Sequence, residues 1–253
     1  MFCDTHCHIY KEYYEDISRV LIDAYKNGIS SFIVDGCDDS SNREVLELKE
    51  KYPHVFVTLG IHPESVSTYQ EKDLRFIEEH IQDDKVVAIG EIGLDYHYDK
   101  SSREDQIVLL KKQLDLAKKY HKPVVIHMRE ATEDMISILK EYPDVRGVIH
   151  AFSGSLEIAK IFIKMGYKLG INGVITFKNC HLIDILPDII HSIVLETDSP
   201  YLTPHPYRGT QNSPIHIKTI VNFICSQLKI SSKELEEITN HNMKEIFKLS
   251  NNR

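Results

Sequence analysis

Eight short apolar runs, each followed by a helical stretch, constrain this chain more than any other feature. The first run leads from Met1 into Asp4-Thr5-His6-Cys7-His8. The others are Ser30–Val34, His54–Leu59, Lys85–Ile89, Pro123–Ile126, Arg146–Ile149, Tyr167–Ile171 and Ser192–Leu195. Strands that are apolar throughout belong to a parallel sheet covered on both faces. Eight such units in 253 residues imply an α/β chain with a single (β/α)8 TIM barrel over residues 1–253. A doubly wound open sheet is the weaker alternative, because no G-x-G-x-x-G follows the first strand.

The helices are legible from their 3.6-residue period. Ile17, Val20, Leu21 and Ala24 share one face, closed by Gly28. Ser41/Glu44 and Ser101/Glu104 have capping-box spacing and are expected to open the second and fourth helices. Met135, Ile138, Leu139 and Tyr142 mark the fifth, and Ile217, Ile220, Val221 and Ile224 the eighth. A last helix, capped by Ser231 and Glu234, buries Met243, Ile246 and Phe247 and is additional to the barrel.

The net charge of −8 and pI near 5.9 argue against a broad basic surface that tracks nucleic acid. They leave room for a nuclease that grips a strand end while metal ions carry the positive charge. Five scattered cysteines without a CxxC pair fit reduced thiols. No signal-peptide pattern and no apolar run of membrane-spanning length is present, so a cytoplasmic protein without a membrane partner is expected. No obligate protein partner is evident, and oligomeric state is not legible.

The ionisable residues fall on one face of that frame. His6 and His8 end the first strand, Glu91 the fourth, His127 the fifth, His150 the sixth and Asp198 the eighth. Strand C-termini are where barrel active sites are built. Taken singly, each has an ordinary structural reading: a hydrogen-bonded histidine, or Glu91 capping the turn before Leu94. Together, six nitrogen and oxygen donors exceed what one tetrahedral zinc needs and suit two divalent ions about 3.5–4 Å apart. Glu91 is the expected bridge, with His6, His8 and Asp198 on one ion and His127 and His150 on the other. By strict alternation Cys3 and Cys7 face away from the histidines and are not ligands.

The stretches Asp4-Thr5-His6-Cys7-His8, Gly60-Ile61-His62-Pro63, Gly90-Glu91-Ile92-Gly93-Leu94-Asp95-Tyr96, His127-Met128-Arg129-Glu130-Ala131, His150-Ala151-Phe152-Ser153-Gly154 and Glu196-Thr197-Asp198-Ser199-Pro200-Tyr201-Leu202 resemble, in order, the motif series of the TatD family. These are metal-dependent hydrolases of the amidohydrolase superfamily. The resemblance implies that the same six residues are the ligands. It also implies a deoxyribonuclease, often a 3′–5′ exonuclease, acting on DNA ends with two divalent ions (zinc, magnesium or manganese). Related barrels often bridge their metals with a carbamylated lysine on the fourth strand, where this chain has Glu91.

On this reading an activated hydroxide attacks phosphorus, and Asp198 steers it or takes its proton. Arg129, two residues past His127, is expected to clamp a phosphate, against a salt bridge to Glu130 or Glu133. His62 would protonate a leaving group or touch phosphate. Asp4 and Glu196 would orient the ligands, with a buried structural hydrogen bond the alternative. Tyr96, Ser153, Tyr201 and Arg208 are expected among the substrate contacts, with ordinary rim packing the alternative for the aromatics. The family's Arg-Asn-Glu-Pro loop is Gln211-Asn212-Ser213-Pro214 here, so Gln211 and Ser213 replace its charged pair. Two other functions are weighed: ester or amide hydrolysis on a small molecule or an aminoacylated tRNA, and a structural or regulatory metal-binding protein.

Overall fold

The computed structural model describes residues 1–97 and 101–249. Eight parallel strands follow in sequence order: β1 (Phe2–Cys7), β2 (Ile29–Asp35), β3 (Val55–Leu59), β4 (Val86–Asp95), β5 (Val124–Arg129), β6 (Gly147–Ile149), β7 (Lys168–Ile171) and β8 (Ile193–Leu195). Between them lie α1 (Ile17–Lys26), α2 (Asp39–Lys51), α3 (Glu71–His80), α4 (Arg103–Tyr120), α5 (Thr132–Lys140), α6 (Leu156–Lys164) and α7 (Leu182–Ile189). They are followed by α8 (Ile217–Leu228) and the added helix α9 (Ser232–Phe247). The ring closes just past β8, where Cys7 bridges Ser199 and the His8 N–H donates to the Ser199 carbonyl at 2.7 Å. The protein is therefore a TIM barrel with a C-terminal helix. No helix among the described residues is long and apolar enough to cross a membrane.

Strand periodicity sorts the side chains into two compartments. One set packs outward against the helices: Val34, Val57, Ile89, Val124, Ile126, Ile149 and Leu195 belong to this large cluster. The other set points inward: Ile33, Val125, Val148 and Val194 meet Met243, Ile246 and Phe247 of α9, which plugs the lower end of the barrel. Two residues further along each of those inward strands comes a polar group, namely Asp35, His127, His150 or Glu196. The barrel interior is thus apolar below and ionisable above.

Local details differ from the expectations. The second helix begins at Asp39, capped by Asp38, whose carboxylate accepts the Ser41 N–H; Ser41 is the third helical residue rather than the cap. Asp caps as well as Ser, and it comes first in the chain. The fourth helix begins at Arg103 rather than beside Ser101. Tyr142 lies beyond α5, which ends at Lys140. Ser231 does cap α9, accepting from the Glu234 N–H. In β1 a register shift between Asp4 and Cys7 breaks strict alternation, so Cys3 joins the inward apolar set despite its odd position.

Candidate metal centre

The largest departure from expectation is β4. It runs ten residues, fully buried, past Glu91 to Asp95. Glu91 is therefore mid-strand and caps no turn. A register irregularity between Ile89 and Ile92 re-aims it into the barrel, and its N–H donates to the Gly36 carbonyl. β5 likewise continues to Arg129, pairing Gly93 with His127 and Asp95 with Arg129.

Four donor atoms converge at the top of the barrel. His6 Nε2 and His8 Nε2 are 3.1 Å apart. Each lies 3.6–3.7 Å from Glu91 Oε2 and 3.5–3.6 Å from Asp198 Oδ1. Ligands 2.0–2.2 Å from one tetrahedral ion stand about 3.4 Å from each other, so the His6, His8 and Asp198 atoms fit a single divalent ion, with Glu91 Oε2 beside the two imidazoles.

The tautomers support the same reading. The Tyr10 hydroxyl donates to the Asp35 carbonyl and so accepts from His8 Nδ1 at 3.0 Å. Asp35 Oδ2 faces His6 Nδ1 at 3.2 Å. His8 then turns its Nε2 lone pair toward His6 Nε2 across 3.1 Å, an arrangement that suits a proton or a cation between them. The surrounding carboxylates favour either: burial alone would lower the His6 pKa, but Asp35 and Glu91 hold it well above the ordinary imidazole value. Burial likewise opposes ionisation of Asp198, yet His150, His6 and His8 hold its carboxyl well below the usual range.

Glu91 turns its other oxygen to a second group. Oε1 lies 2.9 Å from His127 Nδ1, 3.7 Å from His62 Nε2 and 3.9 Å from His150 Nε2. This set is tighter on one side than the first, with His127 hydrogen-bonded straight to the carboxylate. Asp95 Oδ2 holds the far nitrogen of His127 at 2.9 Å, while Glu196 Oε1 lies 3.0 Å from His150 Nδ1 without hydrogen-bond alignment. Gly170 makes room for Glu196: a Cβ there would stand 2.1 Å from Oε2.

The remaining expected residues divide. Asp4 touches no ligand side chain; its carboxylate takes the Thr197 N–H at 2.9 Å and the Thr197 hydroxyl at 2.5 Å, tying β1 to the strand end after β8. Burial pushes its carboxyl up to about 8. His62 accepts the Glu64 N–H on Nδ1, which leaves a hydrogen on Nε2 facing Glu91. Burial outweighs Glu91 and lowers its pKa to about 4, which favours the neutral imidazole with Nε2 as a hydrogen-bond donor. Tyr96 is buried and donates to Asp134 at 2.7 Å. Arg208 lies over the Phe177 ring, 4.2 Å from its centroid. Arg129 and Ser153 are exposed, while the Glu130 carboxylate engages His97.

Tyr201 does reach the mouth. It lines a cavity of about 360 Å3 beside His8, Cys37, His62 and Glu91, and its hydroxyl meets that of Tyr13 at 2.8 Å. In the loop beyond, Asn212 is buried and donates to the Thr197 and Tyr201 carbonyls, while Gln211 donates to the Tyr13 carbonyl. Asp35, Asp95, Tyr10 and Cys37 join the site beyond the residues expected from the sequence. Asp35 and Cys37 follow Ile33 at the inward spacing of two, a signal that was available.

A model of the family described as TatD related DNase matches residues 3–248. YabD, an uncharacterized metal-dependent hydrolase of Bacillus subtilis (strain 168), is 37% identical over 257 residues, covering 99% of this chain and 100% of its own. The crystal structure of YjjV, a TatD homologue from Escherichia coli K12, superposes with a TM-score of 0.93 at 31% identity over 98% of each chain. A hydrolase TatD family protein from Entamoeba histolytica gives 0.85 at 27% identity over 97% of each. Barrel, donor cluster and relatives together define a metal-dependent hydrolase. The chain belongs to the TatD family.

Proposed function

We propose that this chain is a deoxyribonuclease that shortens DNA from an end, in the 3′–5′ direction, with two divalent ions held at the top of the barrel. The observation that carries the reading is Glu91, which offers Oε2 to the His6/His8/Asp198 group and Oε1 to the His127/His150 group. Divalent ions held by those residues would supply an activated water and offset charge on phosphate oxygens. Asp198, unprotonated, accepts a hydrogen bond from the attacking water and steers it. His62 Nε2–H donates to a phosphate or leaving oxygen. Arg129, at the end of β5, pairs with a phosphate at the rim. Tyr10, Tyr13 and Tyr201 stand in contact beside His8, with ring centroids 5.8–6.2 Å apart, and offer a face on which a terminal base stacks. The family description of a DNase supports the substrate class.

One observation favours a second reading. The cavity wall carries Glu12, Asp38, Glu44 and Glu64, and no Lys or Arg among its described lining residues. Such a wall suits an uncharged ester or amide, whose carbonyl carbon the same activated water attacks.

End-labelled single- and double-stranded DNA, offered to apo protein reloaded with magnesium, manganese or zinc, separates the two. Stepwise, metal-dependent shortening that disappears in Asp198→Asn supports the nuclease. No cleavage by protein shown to hold two ions transfers the activity to carbonyl substrates. Arg129→Ala then reads the phosphate contact, with a large loss on DNA and little on a neutral ester.

A further inference from the structure

Cys37 sits on the edge of the first donor group. Its Sγ is 3.7 Å from Glu91 Oε2 and 3.8 Å from His8 Nδ1, and the three side chains form one metal-competent set. A tetrahedral ion with a sulfur ligand at 2.3 Å and an oxygen ligand at 2.1 Å separates the two by about 3.6 Å, close to the Cys37–Glu91 spacing. The residue is pinned through its backbone: its N–H donates to Ser41 Oγ at 2.9 Å and its carbonyl accepts the His62 N–H at 2.8 Å. The other two cysteines near the site are committed elsewhere, Cys3 Sγ to the Asp4 carbonyl and Cys7 Sγ to the Ile33 carbonyl. Cys37 has no such backbone acceptor. A purely structural role as hydrogen-bond partner of His8 is already filled by the Tyr10 hydroxyl, which is nearer at 3.0 Å.

We propose that Cys37 is a soft donor, with His8 and Glu91, to a divalent ion at the edge of the first donor group, and that it biases this centre toward thiophilic divalent ions such as zinc, cobalt and cadmium. The inference rests on the metal-centre reading above. Thiolate ligands select such ions over magnesium and manganese. Coordination exchanges the S–H bond for a sulfur–metal bond, and the proton leaves to solvent.

Cobalt(II) titrated into the full-length apo protein tests this without an activity assay. A thiolate-to-cobalt charge-transfer band in the near ultraviolet, lost in Cys37→Ser while the visible cobalt d–d bands remain, establishes the ligand. Cadmium affinity should then fall at least ~10-fold in the variant, with manganese affinity unchanged. A band unaltered in Cys37→Ser, or d–d bands without any charge-transfer band in the unmodified chain, overturns the proposal and leaves the metal centre standing. No cobalt bound at all overturns both. Should Cys37→Ser fold poorly, alkylation of the unmodified protein reads the same point. Cadmium protects Cys37 from iodoacetamide if the sulfur is a ligand, and equal labelling with and without cadmium overturns it.

Discussion

The backbone N–H of Asp198 donates to the carbonyl of His6 at 3.0 Å. Two members of the first donor group are therefore joined through the main chain at the place where the barrel closes. Asp198 adopts a left-handed backbone, φ +56°, a region that Asp tolerates better than most residues and that often marks functional sites. That turn lets its N–H close the ring while its carboxylate faces the imidazoles.

Glu91→Gln should cut ion content to one per chain or fewer, because an amide oxygen is a weak ligand and the amide nitrogen cannot bind at all. Elemental analysis of purified protein checks this. Two ions in the variant would remove the bridging role.

Asp35→Asn should lower metal affinity by roughly 10–100-fold with the barrel intact. The variant removes the carboxylate charge that faces His6 Nδ1 at 3.2 Å. Calorimetric zinc titration beside a circular dichroism melt gives both readings, and unchanged affinity would show that Asp35 does not orient His6.

The ion-free protein should lose stability as pH rises from about 6.5 to 9. Burial opposes protonation of His127, but Asp95 and Glu91 raise its pKa to about 9, above the unfolded value of about 6.5. A group raised on folding stabilises fully below its unfolded pKa and loses that contribution as pH passes the folded one. Asp95→Asn should flatten this slope, seen as a smaller fall in Tm across the window. An identical slope in the variant would be inconsistent with the Asp95–His127 contact setting it.

Asp4→Asn should be nearly silent, whereas Asp4→Ala should destabilise by ~2–4 kcal/mol. Asparagine keeps an acceptor for the Thr197 N–H and, with the Thr197 hydroxyl turned to accept, a bond to that hydroxyl as well; burial raises the native carboxyl to about 8, so it too favours the uncharged form at neutral pH. Urea unfolding of the two variants side by side decides. Equal losses would mean that the charge, not the hydrogen bonds, matters at this position.

How much of this was legible in the chain follows from what period-2 alternation can carry. Val125/His127 and Val148/His150 advertise an inward apolar residue followed by an inward ligand, so the donors could be read from spacing alone. β4 could not be read this way, since Gly90 and Gly93 look like a strand end and the irregularity at Ile89–Ile92 leaves no mark in composition. Nor could the partners of the ligands. Asp35 and Asp95 are acids at strand rims, and only the closed ring decides that one faces His6 and the other His127 rather than solvent. Asp4 misled for the related reason that β1 shifts register, so its parity with His6 did not place it beside a ligand.

The tie between Asp4 and Thr197 spans 193 residues of sequence, and the first donor group straddles the same gap. During synthesis His6 and His8 emerge long before Asp198, which arrives only when all eight strands have been made. A nascent chain thus exposes an imidazole pair long before it owns a site, and firm ion capture belongs to the last step of maturation. A chain halted before its eighth strand therefore lacks Asp198 and cannot complete the first donor group.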